Sequence, residues 1–183
     1  MTSLVVDCGA NVGLAAAYLA DRYRPTEMVC FEPNPALLPI LRARCSGLEP
    51  VCRIIGAAVW VANGWGDLFL GHPESSTVVS GKVSAPGYDP PIDYSSPLRV
   101  PTIDFAAWLR VTARRFERII IKMDIEGAEY PVLERLVETR AIKVIDRLLV
   151  EWHFSRFPTM DPAEHSRIFD TVTAEIPTES WDF

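Results

Sequence analysis

The chain has 183 residues, 49% of them apolar, with 18 Lys+Arg against 24 Asp+Glu and a formal net charge of −6. That length suits one domain able to hide roughly 70% of its unfolded surface, so a core needs neither disulfides nor a structural metal. The acidic balance, broken only by the Arg114–Arg115 pair, argues against a nucleic-acid partner, and no run nears the ~20 apolar residues of a membrane span.

Short apolar runs at residues 4–7, 28–31, 53–58, 119–124 and 148–151 are predicted strands. Several are nearly unbroken in Val, Ile and Leu, the pattern of strands covered on both faces. Between them run helical stripes: Val12, Ala16 and Leu19; Leu37, Leu41 and Cys45; Val132, Leu133, Leu136 and Val137. Strand–helix alternation implies right-handed crossovers and a mostly parallel, doubly wound α/β sheet. Asn34-Pro35 and Asp161-Pro162, the latter with Glu164 behind it, read as helix starts; Pro131 falls early in its helix, and Pro39 is expected to kink its own. Residues 71–100, rich in Pro, Ser and Gly, read as an insertion over the active-site edge within a single domain spanning 1–183. Cys8, Cys30, Cys45 and Cys52 lack C-x-x-C spacing, which points to a reduced, cytoplasmic setting. No basic-then-apolar leader precedes Leu4.

The first strand leads into Asp7-Cys8-Gly9-Ala10-Asn11-Val12-Gly13. Gly9 suits a tight turn, and Gly13 suits close packing of helix on strand. Asp7 stands where a dinucleotide pattern has its first glycine. A carboxylate there repels a pyrophosphate and suits a donor carrying an ammonium and a sulfonium, which favours S-adenosylmethionine over NAD and disfavours a dehydrogenase. The second strand ends at Phe31-Glu32-Pro33-Asn34, where Glu32 is placed to accept from ribose hydroxyls. The expected cofactor-binding set is Asp7, Gly9, Asn11, Gly13, Glu32, Pro33, Asn34 and Ala57.

A later strand ends in Lys122-Met123-Asp124-Ile125-Glu126-Gly127-Ala128-Glu129, with Lys122 and Asp124 on one face. Ionisable groups leaving an apolar strand are costly to bury without a purpose. A lysine–carboxylate network and helix N-terminal charge offer the plainer account, sufficient for Glu129. With Thr102-Ile103-Asp104 and Glu151-Trp152-His153, these motifs resemble the FkbM family of methyltransferases, in order and spacing up to about residue 153. The resemblance implies a Rossmann-like class I methyltransferase fold and O-methylation of a sugar or other small-molecule hydroxyl. It also marks two departures, no helices before the first strand and a last β-hairpin absent or truncated after Glu175, so that part of the acceptor pocket would come from another domain or a second subunit.

The expected catalytic residues are Lys122, Asp124, Glu126 and His153. Asp124, Glu126 and His153 are candidate bases, and His153 has the best intrinsic pKa for the task. Glu151 is placed to orient Lys122 or His153. Asp124, Glu126, Glu151 and His153 would alternatively bind a divalent cation, though no spacing singles out a metal site. Trp152, Phe154 and Phe157, with Tyr88 and Tyr94, offer an apolar platform for a sugar face or, equally, packing. The competing expectation is a catalytically silent nucleotide-binding module within a larger protein.

Overall fold

The computed structural model describes residues 1–50, 52–73 and 75–181. Val51, Glu74 (within the expected insertion), Asp182 and Phe183 lie outside the described residues. The first half runs β1 (Ser3–Cys8), α1 (Leu14–Tyr23), β2 (Glu27–Phe31), α2 (Leu38–Cys45), β3 (Cys52–Ile55), β4 (Ala58–Trp60) and β5 (Gly64–Leu70). The second half runs β6 (Asp93–Asp104), α3 (Phe105–Thr112), β7 (Arg118–Met123), α4 (Glu129–Glu138), β8 (Arg147–Val150), α5 (Pro162–Glu175) and β9 (Thr178–Ser180).

Six strands form one sheet in the order β3-β2-β1-β7-β8-β9, every neighbouring pair parallel. This is a Rossmann-like α/β sheet that reverses direction between β1 and β7, the place where such sheets open a crevice at their carboxyl ends. Strand parity divides the core. Leu4, Val6 and Cys8 of β1 and Ile119, Ile121 and Met123 of β7 pack with α3, α4 and α5. Val5 and Ile120 face the other way, with Ala16 and Leu19 of α1 and Leu41 and Cys45 of α2. One rung further along that second face stand Asp7 and Lys122, in register with each other and both buried.

Several expectations change. The run 53–58 is two strands: β3 ends at Ile55, and Ala58 begins β4, part of a separate three-stranded sheet of order β4-β6-β5. The stretch 71–100 is loop only as far as residue 92, because β6 from Asp93 pairs antiparallel with β5. Most side chains of β6 before Val100 are exposed, so the ladder and not apolar patterning holds it. Pro39 does not kink α2 but sits in its first turn, where a missing N–H costs nothing. Asn34 forms a turn before that helix instead of capping it, its Oδ1 accepting from Ala36 N–H at 3.0 Å. Asp161 does cap α5, accepting from Ala163 N–H at 2.9 Å. After Glu175 the sheet gains β9, and among the described residues it holds no antiparallel strand. No helix among the described residues is long and apolar enough to cross a membrane.

Candidate active site

A cavity of about 300 Å³ opens at the carboxyl ends of β1, β2, β7 and β8. One end is lined by Gly9, Ala10, Asn11, Glu32, Asn34 and Ala57, the other by Asp124, Glu126, Glu151, His153 and Arg156. Pro73, Ser75, Lys82 and Tyr88 of the inserted loop close the top.

The turn after β1 is fixed by backbone geometry. Gly9 has φ +82°, and a Cβ there would lie 1.8 Å from the Asp124 carbonyl oxygen, so only glycine lets the ends of β1 and β7 meet. Gly9 and Ala10 N–H both donate to the Phe31 carbonyl, at 3.1 and 2.9 Å. Asn11 takes φ +49° and donates from Nδ2 to the Pro73 carbonyl at 2.9 Å, tying the turn to the loop above. Gly13 does not line the cavity. Its place is in packing of helix on helix: a Cβ would lie 2.9 Å from Leu41 Cδ1 of α2.

Glu32 accepts Asn11 N–H on Oε2 and Asn34 N–H on Oε1, each at 2.8 Å. Burial raises its pKa above the ordinary value, against the pull of those two donors. Each carboxylate oxygen keeps a further lone pair for a ligand hydroxyl. Pro33 and Ala57 complete this wall.

Asp7, expected to form an electrostatic cradle at the first turn, is fully buried and does not line the cavity. Its Oδ1 lies 3.1 Å from Lys122 Nζ, its in-register partner on β7. Lys122 also donates to the Gly9 carbonyl at 2.9 Å and pairs with Asp124 Oδ2 at 3.2 Å. Burial opposes the ammonium's charge, but Asp7 and Asp124 outweigh it and raise the pKa. The ammonium is thus held by one carbonyl and two carboxylates of the chain. Lys122 fastens the glycine turn to Asp124 at the cavity wall.

Beyond β7 the backbone turns sharply through Glu126 (φ +61°) and Gly127 (φ +104°). Buried Glu129 holds this turn, accepting from Ile125 N–H and Gly127 N–H at 2.7 Å each. Its Oε1 also lies 3.2 Å from His153 Nδ1, while His153 Nε2 lies 3.0 Å from Glu126 Oε2. Burial disfavours the imidazolium, yet hydrogen bonds to Glu126 and Glu129 push its pKa up to about 11. His153 is therefore protonated near neutral pH, and its expected role as base is corrected. Burial would raise Glu126, but His153 and then Lys82 hold it below the carboxylate range.

Asp124, Glu126 and His153 bring their ligand atoms within 4.8 Å of one another. The cations facing these carboxylates belong to the chain: Lys122, the imidazolium and Lys82. Lys82, from the inserted loop, is buried and pairs directly with Glu126 while donating to the Ser75 carbonyl at 3.2 Å. Thr77 Oγ1 donates to the Glu126 carbonyl at 2.6 Å. Sequence reasoning missed Lys82, whose partner lies 44 residues away and leaves no local pattern. It also undervalued Glu151. Burial and the Asp124 charge push that carboxyl up to about 7, only partly offset by His153 at 3.7 Å. Of the aromatic platform, Tyr88 lines the cavity. Phe157 is buried over Gly127, and Trp152 packs against Tyr130, His165 and Phe169.

No curated protein and no solved structure matches the chain. The family model described as the methyltransferase FkbM domain matches residues 7–176, from Asp7 to just past the end of α5. With that match covering most of its length, the chain belongs to the FkbM methyltransferase family.

Proposed function

We propose that this protein uses S-adenosylmethionine to methylate a hydroxyl of a sugar or another small molecule. One observation carries the proposal: a single cavity joins a glycine turn and a ribose-accepting carboxylate to a cluster of acids containing a group poised near neutrality. The residues fit the donor. Glu32 has free lone pairs facing the cavity, and Gly9, Asn11, Asn34 and Ala57 form a wall that accepts a nucleoside without phosphate-binding donors. When bound, that cofactor supplies an electrophilic methyl group.

The chain's own residues then orient and deprotonate the acceptor. Asp124, fixed by Lys122, stands at the acidic end of the cavity and is suited to align the hydroxyl. Glu151 is the proposed base, since a proton acceptor with a pKa near the working pH is the most effective kind. His153, held between Glu126 and Glu129, orients both carboxylates. Arg156 stands on the same wall as a cation for polar groups of the acceptor.

Calorimetry with S-adenosylhomocysteine tests the donor, and a tritiated-methyl assay over sugar and polyol acceptors tests the transfer. A folded sample that binds no S-adenosylhomocysteine would sink the proposal. Binding without methylation of any hydroxyl acceptor would favour the silent module.

A further inference from the structure

Away from the cavity, three thiols meet on the opposite side of β2. Cys30 on β2, Cys45 at the end of α2 and Cys52 at the start of β3 place their Sγ atoms within 4.8 Å of one another. Cys52 Sγ lies 3.1 Å from Cys30 Sγ, and none of the three is in a disulfide. Cys30 and Cys45 are buried, whereas Cys52 is partly open. Three successive elements thus bring their cysteines to one point. Ordinary core packing explains a buried cysteine singly and gives no reason for three to converge.

The surroundings favour a cation. Asp7, the in-register neighbour of Cys30, is fully buried, and its Oδ2 accepts no hydrogen bond among the described residues. A buried carboxylate oxygen left in this state is costly beside three groups that become anionic on losing a proton. Bonds of about 2.3 Å at tetrahedral angles separate zinc-bound sulfurs by roughly 3.8 Å. The Cys30–Cys52 pair, at 3.1 Å, needs to open by under 1 Å to reach it, and no pair of the three exceeds 4.8 Å.

We propose that Cys30, Cys45 and Cys52 form a site for a thiophilic d¹⁰ cation, zinc(II) in kind, which clips β2, β3 and α2 together behind the glycine turn. Binding replaces three S–H bonds by three S–metal bonds and releases three protons to solvent; the fourth position faces the Cys52 opening and takes water. Soft thiolates select zinc or copper(I) over magnesium and calcium. The site bears on the cavity because Cys45 Sγ lies 3.6 Å from where a Gly13 Cβ would stand, and Cys30 directly precedes Phe31 and Glu32. It is independent of the proposed methyl transfer.

The test uses the whole chain, fully reduced and stripped of metal, titrated with cadmium(II) as a spectroscopic stand-in. One equivalent is expected to produce a thiolate-to-metal charge-transfer band. Cys45→Ser and Cys52→Ser should each weaken binding by more than the roughly 10–100-fold that even a supporting group costs at a metal site. Cys8→Ala, on the other face of β1, and His153→Gln should keep the band. A second measurement needs no variant: zinc should slow alkylation of Cys52 in the folded wild type, read by mass spectrometry. No band in the reduced chain, a band that survives both serine variants, or alkylation of Cys52 unchanged by zinc would each overturn the site.

Discussion

Glu151 and His153 stand two residues apart, and their surroundings raise the pKa of both, to about 7 and about 11. Glu151, raised to about 7 by burial and Asp124, must lose its proton to act as base. Methyl transfer is therefore expected to rise with pH through about 7 and level off above it. Glu151→Gln should remove that limb and lower kcat by ~10²–10⁴-fold, measured as a pH–rate profile of both proteins. For His153, whose pKa is likewise raised on folding, the consequence is one of stability. Its stabilising contribution is full below the unfolded value of about 6.5 and is lost as pH climbs towards 11. Melting temperatures taken from pH 6 to 10 should fall more steeply for the wild type than for His153→Gln. Both residues were visible in the sequence as ionisable groups at a strand's end. Their protonation was not, because it depends on Glu126, Glu129 and Asp124, which only the fold brings to the same few ångströms. Asp7 was misread for the same reason. Its position before Gly9 suggested the turn, while its partner is Lys122 on a strand more than a hundred residues later.

Elements became legible wherever burial wrote itself into composition. β1, β2, β7 and β8 are almost continuously buried and were found close to their true bounds. β6 escaped because its side chains are largely exposed, β5 because Gly64 and Gly66 break its apolar pattern, and β9 because Thr178-Glu179-Ser180 carries no apolar signal. The turn between β7 and α4 tests how far backbone geometry rules this site. A Cβ on Gly127 would lie 2.1 Å from the Phe157 ring and sit at φ +104°. Gly127→Ala should cost about 3 kcal/mol from left-handed strain and overpacking together, whereas Gly47→Ala, with nothing within 4 Å, should be near neutral. Urea denaturation of the two variants measures both. The inserted loop gives a parallel case. Lys82→Met removes its buried tie to Glu126, and residues 71–92 should become more sensitive to limited proteolysis while the rest of the chain stays resistant.

Across the whole molecule, ligand binding and stability are linked. S-adenosylhomocysteine at a hundred times its Kd should add about 2.7 kcal/mol to the folded state. That corresponds to a rise in Tm of ~5–10 °C for a chain of this size, readable by differential scanning fluorimetry. Glu32→Ala should abolish most of the shift. The ammonium of Lys122 grips the glycine turn and Asp124 at once, so the two halves of the cavity floor move as one piece. The cover is secured differently, by Asn11 to Pro73, Thr77 to Glu126 and Lys82 to Glu126. Floor and cover are thus open to change on unequal terms: a new side chain at Ser76, Ala85 or Tyr88 alters which guest is admitted, while one at Asp7 or Lys122 unsettles the foundation on which every guest must rest.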